Sequence, residues 1–226
     1  SLRADQRHRF WPHLRAADRE HVGHDQAPAV HARLSVKDAR TIAFYDAEAH
    51  AYAAQSKEAG RLKDFIAALP HGARVLDLGC GAGADSAALR DAGFNVVSVD
   101  ASAGLAAEAK RLWNVEVRVL EFAELDYVDA FDGVWASASL HHASTETLPD
   151  IFARIRHALR AGGHLHATLK ADPADRRDQL GRFYCAMDEE ALKALAADWR
   201  DVRIERHQGG GYDGVATPWL WLRTVA

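Results

Sequence analysis

The chain is poor in several things, and each scarcity excludes a class of protein. It has only two cysteines among 226 residues, Cys80 and Cys185, so no disulfide framework can hold it together. That scarcity points to a reducing, cytoplasmic setting. No apolar run reaches the ~20 residues that span a bilayer, so no membrane partner is expected. No signal-peptide pattern opens the sequence, and the start at Ser1 rather than Met is read as an expression remnant. Positive charge is not in excess: 28 Lys+Arg stand against 32 Asp+Glu, a net charge of −4. A protein whose main partner is nucleic acid would have the opposite balance. There is no internal repeat and no low-complexity segment. The 13 histidines include His21 and His24 at i, i+3, and His164 and His166 on one face of an expected strand. Neither pair lies in a Cys-x-x-Cys or His-Glu-x-x-His motif, so no metal site is expected.

What the chain does have is an apolar content of 48% and a regular rhythm of elements. Residues 1–37 are rich in Arg, His and Asp without a clean period and read as an N-terminal arm. Asp38–Ser56 has apolar residues at helical spacing, and Arg61–Leu69 reads as a second helix stopped by Pro70-His71-Gly72. Strand and helix then alternate: strands at Arg74–Leu78, Asn95–Val99, Val115–Leu120, Phe131–Ala136 and His164–Leu169, helices at Ala84–Asp91, Ala103–Leu112 and Leu148–Leu159. A final helix, Asp188–Trp199, precedes strands Val202–Glu205 and Trp219–Thr224, with Gly209-Gly210-Gly211 as a flexible loop between them. Such a chain predicts an α/β fold: a Rossmann-like, mostly parallel sheet of seven strands, helices on both faces, and an antiparallel C-terminal hairpin. Residues 38–226 read as one domain, with 38–70 as cap helices and 71–226 as the core.

The most informative run is Val75-Leu76-Asp77-Leu78-Gly79-Cys80-Gly81-Ala82-Gly83, a buried strand ending in a glycine turn that opens a helix. Gly79, Gly81 and Gly83 have no Cβ and let the backbone approach a ligand closely. Asp77 precedes the turn. Its carboxylate would repel a dinucleotide's pyrophosphate but suits a ligand with an ammonium group, such as S-adenosylmethionine. The spacing Gly79-x-Gly81-x-x-Ala84 still fits a relaxed dinucleotide fingerprint, so an NAD-dependent oxidoreductase remains a competing reading.

Together with further matches downstream, this motif resembles the class I S-adenosylmethionine-dependent methyltransferases over roughly residues 40–226. Val99-Asp100 ends the second strand 21 residues after Gly79, Glu121-Phe122 follows the third, and Leu140-His141-His142 follows the fourth. Leu159-Arg160-Ala161-Gly162-Gly163 is similar to the family's turn before the fifth strand, with Ala161 where the family has Pro. The segments Ala43–Tyr52 and Trp135–Leu140 look most like the bacterial tellurite-resistance-type methyltransferases.

The resemblance implies S-adenosylmethionine as cofactor and assigns roles. Asp77, Gly79, Cys80, Gly81 and Gly83 take the methionine part, and Asp100 accepts from the ribose diol. Ala101 and Ser102 lie near the adenine, which Glu121 and Phe122 read. The Ala136 carbonyl receives the ammonium, and Leu140–His142 is where cofactor and acceptor meet. Tyr45 and Tyr52 cover the cofactor from the cap, and His142 is the candidate catalytic base, with His141 and Tyr184 behind it. The expected function is methyl transfer to a small-molecule acceptor by a monomer or homodimer. A non-catalytic adenosylmethionine-binding module is the alternative.

Overall fold

A computed structural model describes residues 38–55, 59–212 and 215–226. These residues fall within one compact unit, Ser35–Ala226. The expected N-terminal arm, including His21 and His24, lies outside the described residues.

The parallel strands form where the sequence has short apolar runs. They are β1 (Arg74–Leu78), β2 (Asn95–Asp100), β3 (Val117–Val119), β4 (Phe131–Ser137) and β5 (Leu159–Lys170). After a two-stranded ribbon, β6 (Arg176–Arg177) and β7 (Phe183–Tyr184), the sheet is completed by β8 (Arg200–Gly210) and β9 (Ala216–Val225). The order is β3-β2-β1-β4-β5-β9-β8, and β9 alone runs against the other six. The chain therefore leaves β1 in opposite directions across the sheet, toward β2 on one side and β4 on the other. Such a reversal opens a crevice at the carboxyl ends of the strands.

Alternation within the central strands sorts the core into two faces. Leu76, Leu78, Val134 and Ala136 pack with helix α6 (Leu148–Ala158) and α7 (Glu189–Leu195). Val75 and Trp135 point the other way, onto α3 (Leu62–Ala68) and Leu89 of α4 (Ala84–Asp91). Helix α5 (Ala103–Trp113) covers β2 and β3. Its N-cap Ser102 accepts from the Leu105 N–H at 3.1 Å.

The structure corrects three expectations. The single helix expected over Asp38–Ser56 is two, α1 (Ala39–Ala47) and α2 (Ala49–Gln55), broken at Glu48 (φ −100°, ψ 11°). The break lets Asp46 reach the start of α5, where its Oδ1 accepts from Ser102 Oγ (2.6 Å) and from the Gly104 N–H (2.9 Å). Gly104 is needed there, because a Cβ would stand 2.9 Å from the Asp46 carbonyl oxygen. The carboxylate at a helix N-terminus is favourable for the α5 dipole and anchors the cap to the core. Second, Gly209 and Gly210 are not loop. They pair with Thr217 and Ala216, and Trp219 packs where a Gly209 side chain would be. Third, helix α6 ends at Ala158, one residue early, because Leu159 already pairs with Phe131 before the Arg160–Gly163 bulge.

Candidate functional site

A cavity of about 640 Å³ opens at the carboxyl ends of β1, β2, β4 and β5, roofed by α1, α2 and the β8–β9 turn. The turn after β1 forms its floor, and the three glycines there have different jobs. Gly79 (φ +75°) allows the segment after β4 to cross, since a Cβ would lie 2.3 Å from that of Ser139. Ser139 in turn donates from Oγ to the Leu78 carbonyl at 2.7 Å. Gly83 (φ +82°) lets α4 approach α5, where a Cβ would meet that of Ala109 at 2.8 Å. Only Gly81 (φ +55°) faces open space, with Tyr52 the nearest side chain at 3.8 Å.

Carboxylates crowd this end. Asp77 is 2% exposed and accepts from Ser86 Oγ at 2.6 Å, and Ser86 accepts from Ser98 Oγ at 2.7 Å. Burial, reinforced by the neighbouring Asp85 and Asp100, pushes the Asp77 carboxyl well above the usual range. Burial also raises Asp100, against the backbone N–H groups that bond it. Its Oδ2 accepts from Gly81 at 2.8 Å and its Oδ1 from Ser102 at 2.8 Å, which fixes the carboxylate under the cavity. Asp85 holds the Ala59 N–H and the Trp135 indole N–H, each at 2.7 Å. A site that concentrates buried and half-buried acids in this way favours a cationic ligand with hydroxyls to donate. The Cys80 thiol is raised well above its ordinary value by burial and by Asp77, so it stays protonated.

The opposite end carries rings and nitrogen bases. Nδ1 of His142 lies 2.6 Å from the Phe183 carbonyl, which can only accept, so that nitrogen carries the proton. Nε2 is therefore the acceptor, and Tyr45 donates its hydroxyl to it at 3.0 Å. The same hydroxyl accepts from Arg182 Nη1 at 3.4 Å. The chain Arg182–Tyr45–His142–Phe183 runs in one direction with every proton placed. Burial lowers His142 to about 4, and it lowers His141 well below the ordinary value. His141 Nδ1 accepts the Lys170 N–H at 3.3 Å. Burial raises Tyr45 well above 10, so its hydroxyl holds its proton at neutral pH.

Asp77, Gly79, Cys80, Gly81, Asp100, Ala101, Ser102, Glu121, Phe122, Tyr45, Tyr52 and His142, all singled out in the sequence, line this one cavity. Three others do not. Gly83 serves the α4–α5 contact, and Ala136 and Leu140 are fully buried, with Ser137, Ala138 and Ser139 forming the wall instead. The Ser102 hydroxyl is committed to the α5 cap and Asp46. His164 and His166 sit elsewhere, His166 on the α3 face against Phe65, Trp135 and Trp221. Among the described residues no cluster of three or more metal-ligating side chains is present.

Sequence reasoning missed Asp85, Lys170 and Tyr212, all in the wall. It also missed Ala138, a non-glycine residue at φ +53° whose N–H bonds Thr168 Oγ1 at 2.8 Å. The run of small residues from Ala136 to Ser139 was the available signal for that tight turn.

Residues 75–163 match the family described as "Methyltransferase domain". Over 120 residues (52% of this chain) the sequence is 35% identical to a malonyl-[acyl-carrier protein] O-methyltransferase of Enterobacter lignolyticus. The match spans 46% of that relative, about half its length. A solved S-adenosylmethionine-dependent methyltransferase from Methanosarcina mazei superposes with a TM-score of 0.65 at 15% identity, covering 75% of this chain and 98% of that one. TehB from Haemophilus influenzae superposes with a TM-score of 0.64 at 18% identity, covering 80% and 66%. At these identities the likeness is one of fold.

Proposed function

We propose that the protein, whose residues 75–163 match the methyltransferase-domain family, transfers a methyl group from S-adenosylmethionine to a small-molecule acceptor. One observation carries this reading. Buried Asp77 and half-buried Asp100 flank a glycine turn at the point where the strand order reverses, under a cavity large enough for a nucleoside and a small second ligand.

The donor set fits the cofactor. Asp100 offers lone pairs for a ribose diol beside the backbone it already holds, and Asp77 with Asp85 balances an ammonium and a sulfonium. When bound, the cofactor supplies an electrophilic methyl group on sulfur, and its departure leaves a neutral thioether. The chain contributes position and dryness: Tyr45 and Tyr52 close the roof, and Tyr212 stacks beside Tyr52 at 5.0 Å between centroids. His142 does not act as the base in this reading. Its Nε2 lone pair is taken by Tyr45, and with a value of about 4 it is a weak proton acceptor. The acceptor therefore arrives as an intrinsically good nucleophile, and the Tyr45–His142 pair shapes the pocket around it.

The test is a methyl-transfer screen with labelled S-adenosylmethionine and small acceptors, read by acceptor-dependent release of S-adenosylhomocysteine. Turnover with at least one acceptor is expected. Tight S-adenosylhomocysteine binding without turnover for any acceptor would replace the enzyme reading with a binding module.

A further inference from the structure

The cavity is charged oppositely at its two ends. Asp77, Asp85 and Asp100 gather at the glycine turn, whereas Lys170 and Arg182 stand where β5 and the β6–β7 ribbon meet α1. Both cations are buried, at 3% and 2% exposure. Asp178 grips one edge of the Arg182 guanidinium, with its Oδ2 2.8 Å from Nε and 2.7 Å from Nη2. That grip fixes the plane and turns Nη1 toward Tyr45 and the cavity. Phe44, Tyr45, Tyr184 and Tyr212 surround the guanidinium, their ring centroids 5.1 to 5.9 Å from Cζ. The Lys170 ammonium lies 4.3 Å above the Tyr184 ring and 5.7 Å from that of Trp219.

An ion pair buried only to join the ribbon to the core would be a costly fastener, because desolvating two charges offsets most of their attraction. Here the negative partner stands outside the cavity lining and the positive one is in it. Asp38, also in the lining, caps α1 and pairs with Arg177. The arrangement presents donors and aromatic faces together.

Building on the assignment of the acidic end to the cofactor, we propose that the methyl acceptor is a small planar molecule bearing a carboxylate or phosphate, with Arg182 and Lys170 binding that anion and Tyr184 and Trp219 flanking its ring. A guanidinium with one edge already held loses little freedom on taking an anion with the other. Such an acceptor is attracted to its own end and repelled by the acidic end, which sets the order of the two ligands along the cavity.

Benzoate, phenyl phosphate, benzamide and benzylammonium serve as probes, titrated calorimetrically into the protein with and without saturating S-adenosylhomocysteine. Benzoate and phenyl phosphate are expected to bind the loaded protein at least tenfold more tightly than benzamide. Lys170→Met should weaken benzoate at least tenfold while changing S-adenosylhomocysteine affinity less than twofold, and Arg182→Lys should weaken benzoate by a similar factor. The variants' circular dichroism and melting curves check that each is folded. Equal binding of benzamide or benzylammonium, or no binding of either anion, would overturn the proposal. So would displacement of benzoate by S-adenosylhomocysteine, which would give the two cations to the cofactor's own carboxylate. Anion binding by a protein that ignores S-adenosylhomocysteine would keep the anion site and refute the cofactor assignment instead.

Discussion

Replacing Gly79 by alanine tests whether this glycine serves the ligand or the protein. In the structure its Cβ would lie 2.3 Å from Ser139 Cβ and 2.9 Å from Ser139 Oγ, at a φ of +75°. The left-handed backbone costs a side-chain-bearing residue about 1–2 kcal/mol. Forcing a methyl into filled space costs about 1–3 kcal/mol more. Gly79→Ala should therefore lose about 2–5 kcal/mol of a total that is on the order of 5–15 kcal/mol for a domain. Ser139→Gly alone loses the hydrogen bond to the Leu78 carbonyl, about 1–2 kcal/mol with the carbonyl left buried. In the double variant the collision is gone and only the backbone cost and the lost bond remain. Urea unfolding of all four proteins should give a double variant more stable than the sum of the singles by about 1–3 kcal/mol. Additivity to within about 0.5 kcal/mol would refute the packing role of Gly79. Gly81→Ala is the contrast: its methyl has room, with Tyr52 at 3.8 Å, and should cost ligand affinity far more than packing.

Three further outcomes follow from the site. Asp77→Asn should raise the melting temperature of the ligand-free protein, since it removes a buried carboxyl pushed up by desolvation and by Asp85, while weakening S-adenosylhomocysteine at least tenfold by calorimetry. Tyr45→Phe leaves His142 Nε2 without its donor and should destabilise by about 1–3 kcal/mol in urea melts. Histidine titration sets the acid limb of stability. His142 (about 4) and His166 (about 3) lie below the ordinary 6.5, so between those values the unfolded chain binds more protons than the native one. Their contribution is complete above pH 6.5 and is lost as pH falls toward 4 and then 3. His142→Gln and His166→Gln should each flatten that slope in melts from pH 7 to 4.

Much of the fold was legible because the strands that build the crevice are buried and their signals local. The run Val75–Leu78 followed by glycines marks the end of β1, and Asn95–Val99 and Phe131–Ala136 mark its neighbours without help from distant residues. The C-terminal hairpin was legible for the same reason, except that Gly209 and Gly210 pair as strand because Trp219 fills the space they leave. The break between α1 and α2 was not legible, since it depends on Asp46 meeting the start of α5, 56 residues away from Ser102. The same limit applies to the site. Residues adjacent to the glycine motif could be named in advance, but Arg182 and Lys170 come to the cavity through the β6–β7 ribbon and the length of β5, which no periodicity announces. His142 was visible as a candidate base, whereas its proton state depends on a carbonyl at Phe183 and a hydroxyl at Tyr45.

The proposed activity requires a cofactor held by Asp77 and Asp100. Calorimetric titration of the protein with S-adenosylmethionine, S-adenosylhomocysteine and NAD, repeated on Asp100→Asn, tests this most directly. Micromolar binding of both adenosyl ligands is expected, weakened at least tenfold by the substitution, with no heat from NAD. Binding of NAD with none of either adenosyl ligand would contradict the proposed activity.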